Sequence, residues 1–179
     1  MKKLTAPFIM CSILCGCIAH AQIASPRTGL LVKGPVPITV ELTPEAKGSK
    51  PISLTVNSIS CDFSQVLNIG SQSSGAGAGK VTFNPFSITR RFDAQSPDLF
   101  HMLCAGIPFK TVVVRMGKMT MTMGLVAVKS MSYSDEPDGS VKETVSFEFG
   151  AANLSDGVVT KGWNRVRNTA WNDVSVPIN

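Results

Sequence analysis

His101 is the only histidine after residue 20, and the groups that could act with it are scattered. A nucleophilic site needs a Ser or Cys, a base and an orienting group brought together, and His101 would have to be that base. Its place within an apolar helical pattern argues for packing instead. A zinc site needs four ligands, or three and an open position, and one histidine with the distant Cys61 and Cys104 does not supply them. Glu143 and Glu148 alternate onto opposite faces of one strand, so they cannot face a shared substrate as a glycosidase pair does. Methionines 119, 121, 123 and 131 would suit a soft metal, but with no nearby histidine they read better as adaptable packing or a subunit contact. The acidic run Asp135-Glu136-Pro137-Asp138-Gly139 lacks calcium-loop spacing and reads as a hairpin turn. A non-enzymatic protein without cofactor or metal is expected.

One motif resembles a phosphate loop. Gly75-Ala76-Gly77-Ala78-Gly79-Lys80 ends in Gly-Lys, but Ser74 stands where the first glycine is required and Val81 where Ser or Thr is required. The segment also leads into a strand rather than a helix. Nucleotide binding is not expected.

The chain has 179 residues and a formal charge of +5. Its start has the form of an export signal: Lys2-Lys3, the apolar run Leu4–Ile18, and Ala19-His20-Ala21 as a small-x-small cleavage site. Leu14-Cys15-Gly16-Cys17 also fits a lipobox, with lipidated Cys17 as the alternative. Loss of residues 1–21 would leave 158 residues, enough for one domain, and a charge of +3. That charge is dispersed, which excludes a nucleic-acid surface, and no membrane attachment is expected after cleavage. A periplasmic or secreted location follows. Cys61 and Cys104 would then be the remaining cysteines, either as two thiols or as a disulfide. A bridge across so long a loop would contribute about 3–4 kcal/mol.

The elements that position these groups are mostly strands. Residues 22–37 are rich in Pro and Gly and read as a flexible leader. Ile38–Thr43 alternates as a first strand, and Ile52–Phe63 as a long strand bent near Asn57-Ser58. Asn68–Gly79 is a long polar and glycine-rich loop. In Lys80–Asp93 the apolar parity changes at Asn84-Pro85, which predicts a bulge. Ser96-Pro97-Asp98 predicts a helix start with Ser96 as cap, Leu99, Met102 and Leu103 give its apolar stripe, and Gly106 ends it. Phe109–Met116 is a strand. Met119–Tyr133 follows, with Met119, Met121, Met123, Leu125, Ala127, Met131 and Tyr133 expected on one face. Val141–Phe149 is another strand, and Val158–Arg167 a last one before a tail over 168–179. The expected domain spans 38–167: mainly β, closing as a barrel or sandwich.

The run Gly75–Met116 resembles the Hcp family, the tube proteins of type VI secretion systems. The matching residues are Gly79-Lys80-Val81, Phe83, Phe86, Thr89, Asp93, Ser96-Pro97, Leu99-Phe100, and Cys104 with Gly106. Strands Leu125–Tyr133 and Val145–Phe149 are similar to later family strands, so the resemblance covers about residues 52–150. It implies a small Hcp-like β-barrel of two packed sheets with one short flanking α-helix. It further implies homo-hexameric rings that stack into a tube, carry effector proteins and meet a spike protein. A loop reaching the next subunit would here involve Asn68, Ser71, Ser74, Gly75, Gly77 and Gly79. An export signal is unusual for tube proteins, which are loaded from the cytoplasm; a monomeric exported binding domain on the same barrel is the alternative.

Overall fold

Alternation dominates the chain, and strands result. The computed structural model describes residues 37–46, 48–68, 77–78 and 80–172, all within the unit Gly34–Asn179. The expected signal (1–21) and nearly all of the leader (22–37) lie outside the described residues.

The strands in order are β1 (Ile38–Pro44), β2 (Ile52–Val56), β3 (Ser58–Ser60), β4 (Phe63–Ser64), β5 (Leu67–Asn68) and β6 (Gly77–Ala78). Then come β7 (Thr82–Phe83), β8 (Phe86–Arg91), the helix α1 (Ser96–Ala105), β9 (Phe109–Met116), β10 (Met119–Asp135) and β11 (Val141–Ser155). Short β12 (Thr160–Asn164) and β13 (Thr169–Ala170) follow.

All the pairings are antiparallel, and they close on themselves. β9 pairs with β1, β1 with β2, β3 with β8, β8 with β11, β11 with β10, and β10 with β9. The closing strand is the bent segment Ile52–Ser60. Asn57, at its bend, breaks the strand but keeps contact by donating its N–H to Thr89 O at 2.8 Å. Closure leaves fewer open edges than a flat sheet of the same length. The two faces, β9-β1-β2 and β8-β11-β10, share one core, with Phe147 against Phe86 and Phe109 at ring-centroid distances of 5.8 and 6.1 Å.

The bulge at Asn84-Pro85 is present. Ser60 pairs with Ser87 and Phe63 with Phe83, which leaves Cys61-Asp62 opposite Asn84-Pro85-Phe86. The extra residue falls where proline has no N–H to lose. Asn84 ties the corner by donating its N–H to Asp62 O and its side-chain amide to Asp62 Oδ2, at 3.0 and 2.7 Å.

β10 departs from the expected single face. Met121 and Met123 are buried, but Leu125 is exposed, and Val126 and Val128 point inward instead. Leu125 takes φ +55°, a left-handed conformation that flips the parity of the strand. A register irregularity between Val128 and Ser130 flips it back, so Met131 packs on the core again. The neighbouring strands turn in the same row: β9 buries Val112 and Val114 but then Phe109, and β11, buried throughout 149–153, packs Phe147, Phe149 and then Ala152 on the core.

The helix begins with its first residue, Ser96, and not with Ser96 as cap. Gln95 is the cap residue, and the Ser96 hydroxyl accepts the Asp93 N–H at 3.1 Å. Gly106 ends α1 at φ +63°, with the Gly106 and Ile107 N–H groups donating to Leu103 O and Met102 O. Leu99 is fully buried, and Met102 and Leu103 pack on the core as the stripe requires. No helix among the described residues is long and apolar enough to cross a membrane.

The folded part continues past Arg167. β13 pairs with β12, Trp171 is buried, and the Trp171 N–H donates to Gly162 O at 3.0 Å.

Candidate assembly surface

Two of the residues singled out for an inter-subunit loop, Asn68 and Gly77, sit on an arm. β4 pairs with β7, and beyond it β5 pairs with β6, with Asn68 opposite Gly77 and Leu67 opposite Ala78. The two short ladders carry the chain out from the corner at Asp62 and Asn84 as a narrow two-stranded ribbon. Asn68 and Gly77 lie on that ribbon; Ser71, Ser74, Gly75 and Gly79 lie outside the described residues. The base of the arm is held by Phe63 and Phe83, whose rings meet edge-on at 5.0 Å, and by Phe83 against Phe149 at 5.2 Å. Aromatic contacts of this kind hold a ribbon too short to be stable alone.

Beside the arm lies an open groove lined by Lys80, Val81, Thr82, Arg165 and Val166, about 350 Å³ in volume. Arg165 lies over the Phe83 ring at 5.9 Å and reaches Glu148, which also binds Lys129 at 3.1 Å. Exposed apolar side chains lie near this region: Leu125 and Val166, both against Gly150, and Trp163, which lines a neighbouring cavity with Val81. A second group, Phe92, Tyr133 and Val141, is exposed at one barrel rim, with the Phe92 and Tyr133 rings 6.1 Å apart. Such surface is suited to contact with other protein.

The two cysteines are not bridged. Cys61 is half-buried and donates toward Met121 Sδ at 4.0 Å, whereas Cys104 is exposed at the end of α1. Of the two alternatives, the thiol form is the one present: Cys61 turns toward the core beside β10 while Cys104 is exposed on the helix. Burial, reinforced by the Asp62 charge and partly offset by a backbone hydrogen bond, pushes the Cys61 thiol up to about 11. It is therefore a packed thiol and a poor nucleophile at neutral pH. His101 is exposed and lines an open groove with Gln95, Asp98, Ser49, Lys50, Pro51 and Ser53. Among the described residues no group of three His, Cys, Asp or Glu side chains could hold a metal ion.

Sequence reasoning missed one polar cluster. Arg90 and Glu143 are register partners across β8 and β11 and are 1% and 0% exposed, with Nε 3.5 Å from Oε1. Arg90 also pairs with Asp93 and donates from Nε to Arg91 O at 3.2 Å. The signal was in the pattern: Arg90 shares the parity of Phe86 and Ile88, and Glu143 that of Val145 and Phe147. A charged residue on the apolar parity of two adjacent strands calls for a partner, because burying one charge alone is prohibitive.

Residues 47–155 match the family model described as "Type VI secretion system effector, Hcp". No curated protein matches the chain. Among solved structures, one titled "Structure of a type six secretion system protein" is 18% identical, with a TM-score of 0.63, covering 75% of this chain and 99% of its own. Hcp1 from Salmonella typhimurium is 21% identical with a TM-score of 0.57, covering 76% and 100%. Hcp1 from E. coli EAEC 042 is 14% identical with a TM-score of 0.54, covering 77% and 97%. At these identities the structural likeness establishes the fold.

Proposed function

The chain belongs to the Hcp family of type VI secretion proteins, and on that basis we propose that it is a non-enzymatic structural protein that assembles into homo-hexameric rings. The rings would stack into a tube and carry effector proteins, with a spike protein as a further partner. The observation that carries this reading is the match over residues 47–155, which includes the arm and every strand of the barrel circuit except β1. The closed barrel fits it physically: with the strand circuit complete, a subunit must associate through side-chain faces and projecting ribbons. The β5–β6 ribbon is the candidate contact arm, with Asn68 and Gly77 on it and Ser71, Ser74, Gly75 and Gly79 assigned to the same contact from the sequence. The exposed Leu125, Val166 and Trp163 beside its base supply apolar area. The N-terminal Lys2-Lys3 and apolar run support export of the mature protein to the periplasm or outside the cell, with lipidation at Cys17 as a variant.

Mass photometry of the purified protein tests the assembly. A particle of six subunits supports the ring, and a monomer persisting at high concentration overturns it. The export signal favours one second reading, a monomeric exported binding domain on the same barrel, and that monomer is its expected result.

A further inference from the structure

Glu143 occupies the middle of a three-strand row at one rim of the barrel. Its register partner on β8 is Arg90 and its register partner on β10 is Tyr133. The helix α1 reaches both of these neighbours. At its start, Arg90 pairs with Asp93, and Asp93 Oδ1 accepts the Gln95 N–H at 2.9 Å, so the carboxylate that meets the arginine also sets the cap residue of the helix. Ser96, fully buried, returns a bond to Asp93 N–H. At its other end, Cys104 lies close enough to Tyr133 to act on its phenol, which burial, Glu143 and Cys104 together push up.

We propose that Glu143, Arg90 and Asp93 form a latch that fixes the position of α1 across the barrel rim. Glu143 orients Arg90 inside the wall, and Arg90 in turn holds Asp93, whose carboxylate accepts the N–H of the cap residue Gln95. Two features favour a positioning role over simple core filling. The cluster is not economical for stability: Arg90 Nη1 and both Glu143 carboxylate oxygens lack hydrogen-bond partners within the protein, and apolar residues of similar size usually serve a core at least as well. The short helix also cannot hold itself, because ten residues are marginal without packing and α1 buries only Ser96 and Leu99 fully. An anchor just before its cap therefore decides where its outward residues Phe100 and Cys104 are presented. The latch acts within one chain and does not depend on ring assembly.

Hydrogen exchange of the α1 amides, measured beside global stability on the full chain, tests this. In Arg90→Met/Glu143→Met the buried charges leave as a pair, so the barrel keeps its melting temperature while α1 amides exchange at least about tenfold faster. If that variant does not fold, Asp93→Asn decides: the side chain can still accept the Gln95 N–H but loses its charge, and α1 exchange again rises while barrel amides stay protected. Parent-like α1 exchange in a folded variant of either kind overturns the latch. So does a uniform rise across barrel and helix, which would mark Arg90 and Glu143 as ordinary core residues.

Discussion

Leu125 lies at φ +55° in β10, opposite Gly150 of β11, where an added Cβ would sit 2.9 Å from Leu125 Cδ1 and 3.1 Å from Leu125 Cβ. The pair occupies the row where β9, β10 and β11 exchange their inward and outward faces. A left-handed leucine costs roughly 1 kcal/mol, which the surrounding strands must supply.

Leu125→Gly should consequently leave stability within about 1 kcal/mol of the parent, since relief of the strained φ offsets the lost side-chain contacts. Met123→Ala, two residues away and fully buried, should lose about 2–5 kcal/mol. Urea denaturation of the two variants checks the contrast. Equal losses would mean that Leu125 is an ordinary strand residue.

Gly162→Ala should detach the C-terminal strands. A Cβ there would meet Trp171 O at 2.3 Å and Ala152 O at 2.6 Å, both backbone atoms that cannot swing aside. We expect a loss of about 2–3 kcal/mol and a red shift of the buried Trp171 emission, read in a background where the more exposed Trp163 is replaced by Phe.

Thiol chemistry should separate the two cysteines. At pH 8, peptide-resolved alkylation should modify exposed Cys104 promptly and Cys61 slowly, because the Cys61 thiol is held near 11 against an ordinary 9.0. The sign for stability follows. A thiol whose folded value is raised contributes fully below pH 9, and that contribution fades as pH rises through 11. Asp62→Asn removes the charge that adds to the effect of burial, so Cys61 should become faster in that variant.

Phe147→Ala should cost about 3–5 kcal/mol, since Phe147 is buried between Phe86 of β8 and Phe109 of β9 and no neighbour can refill the space. Phe92→Ala, at the half-exposed rim, should cost about 1 kcal/mol or less. Thermal melts of the two would show whether the core is one unit across β8, β9 and β11.

Local rules were legible in the amino-acid order. Alternation located β1, β8, β9 and β11, the proline at 85 marked the bulge, and Gly106 marked the end of α1, because each depends on neighbours within a few residues. The order of motifs from Gly79 to Gly106 was enough to identify the family and, with it, the barrel. What the sequence could not carry was the partner of each residue across space. The inward turn of Val126 in place of Leu125 is set by a row shared among three strands. The fate of Cys61 and Cys104 is set by which side of β10 and α1 each one faces. The pairing of Arg90 with Glu143 joins residues 53 positions apart that meet only because β8 lies beside β11. Period and propensity are short-range properties of a chain; register, burial and charge pairing become fixed only when the barrel closes.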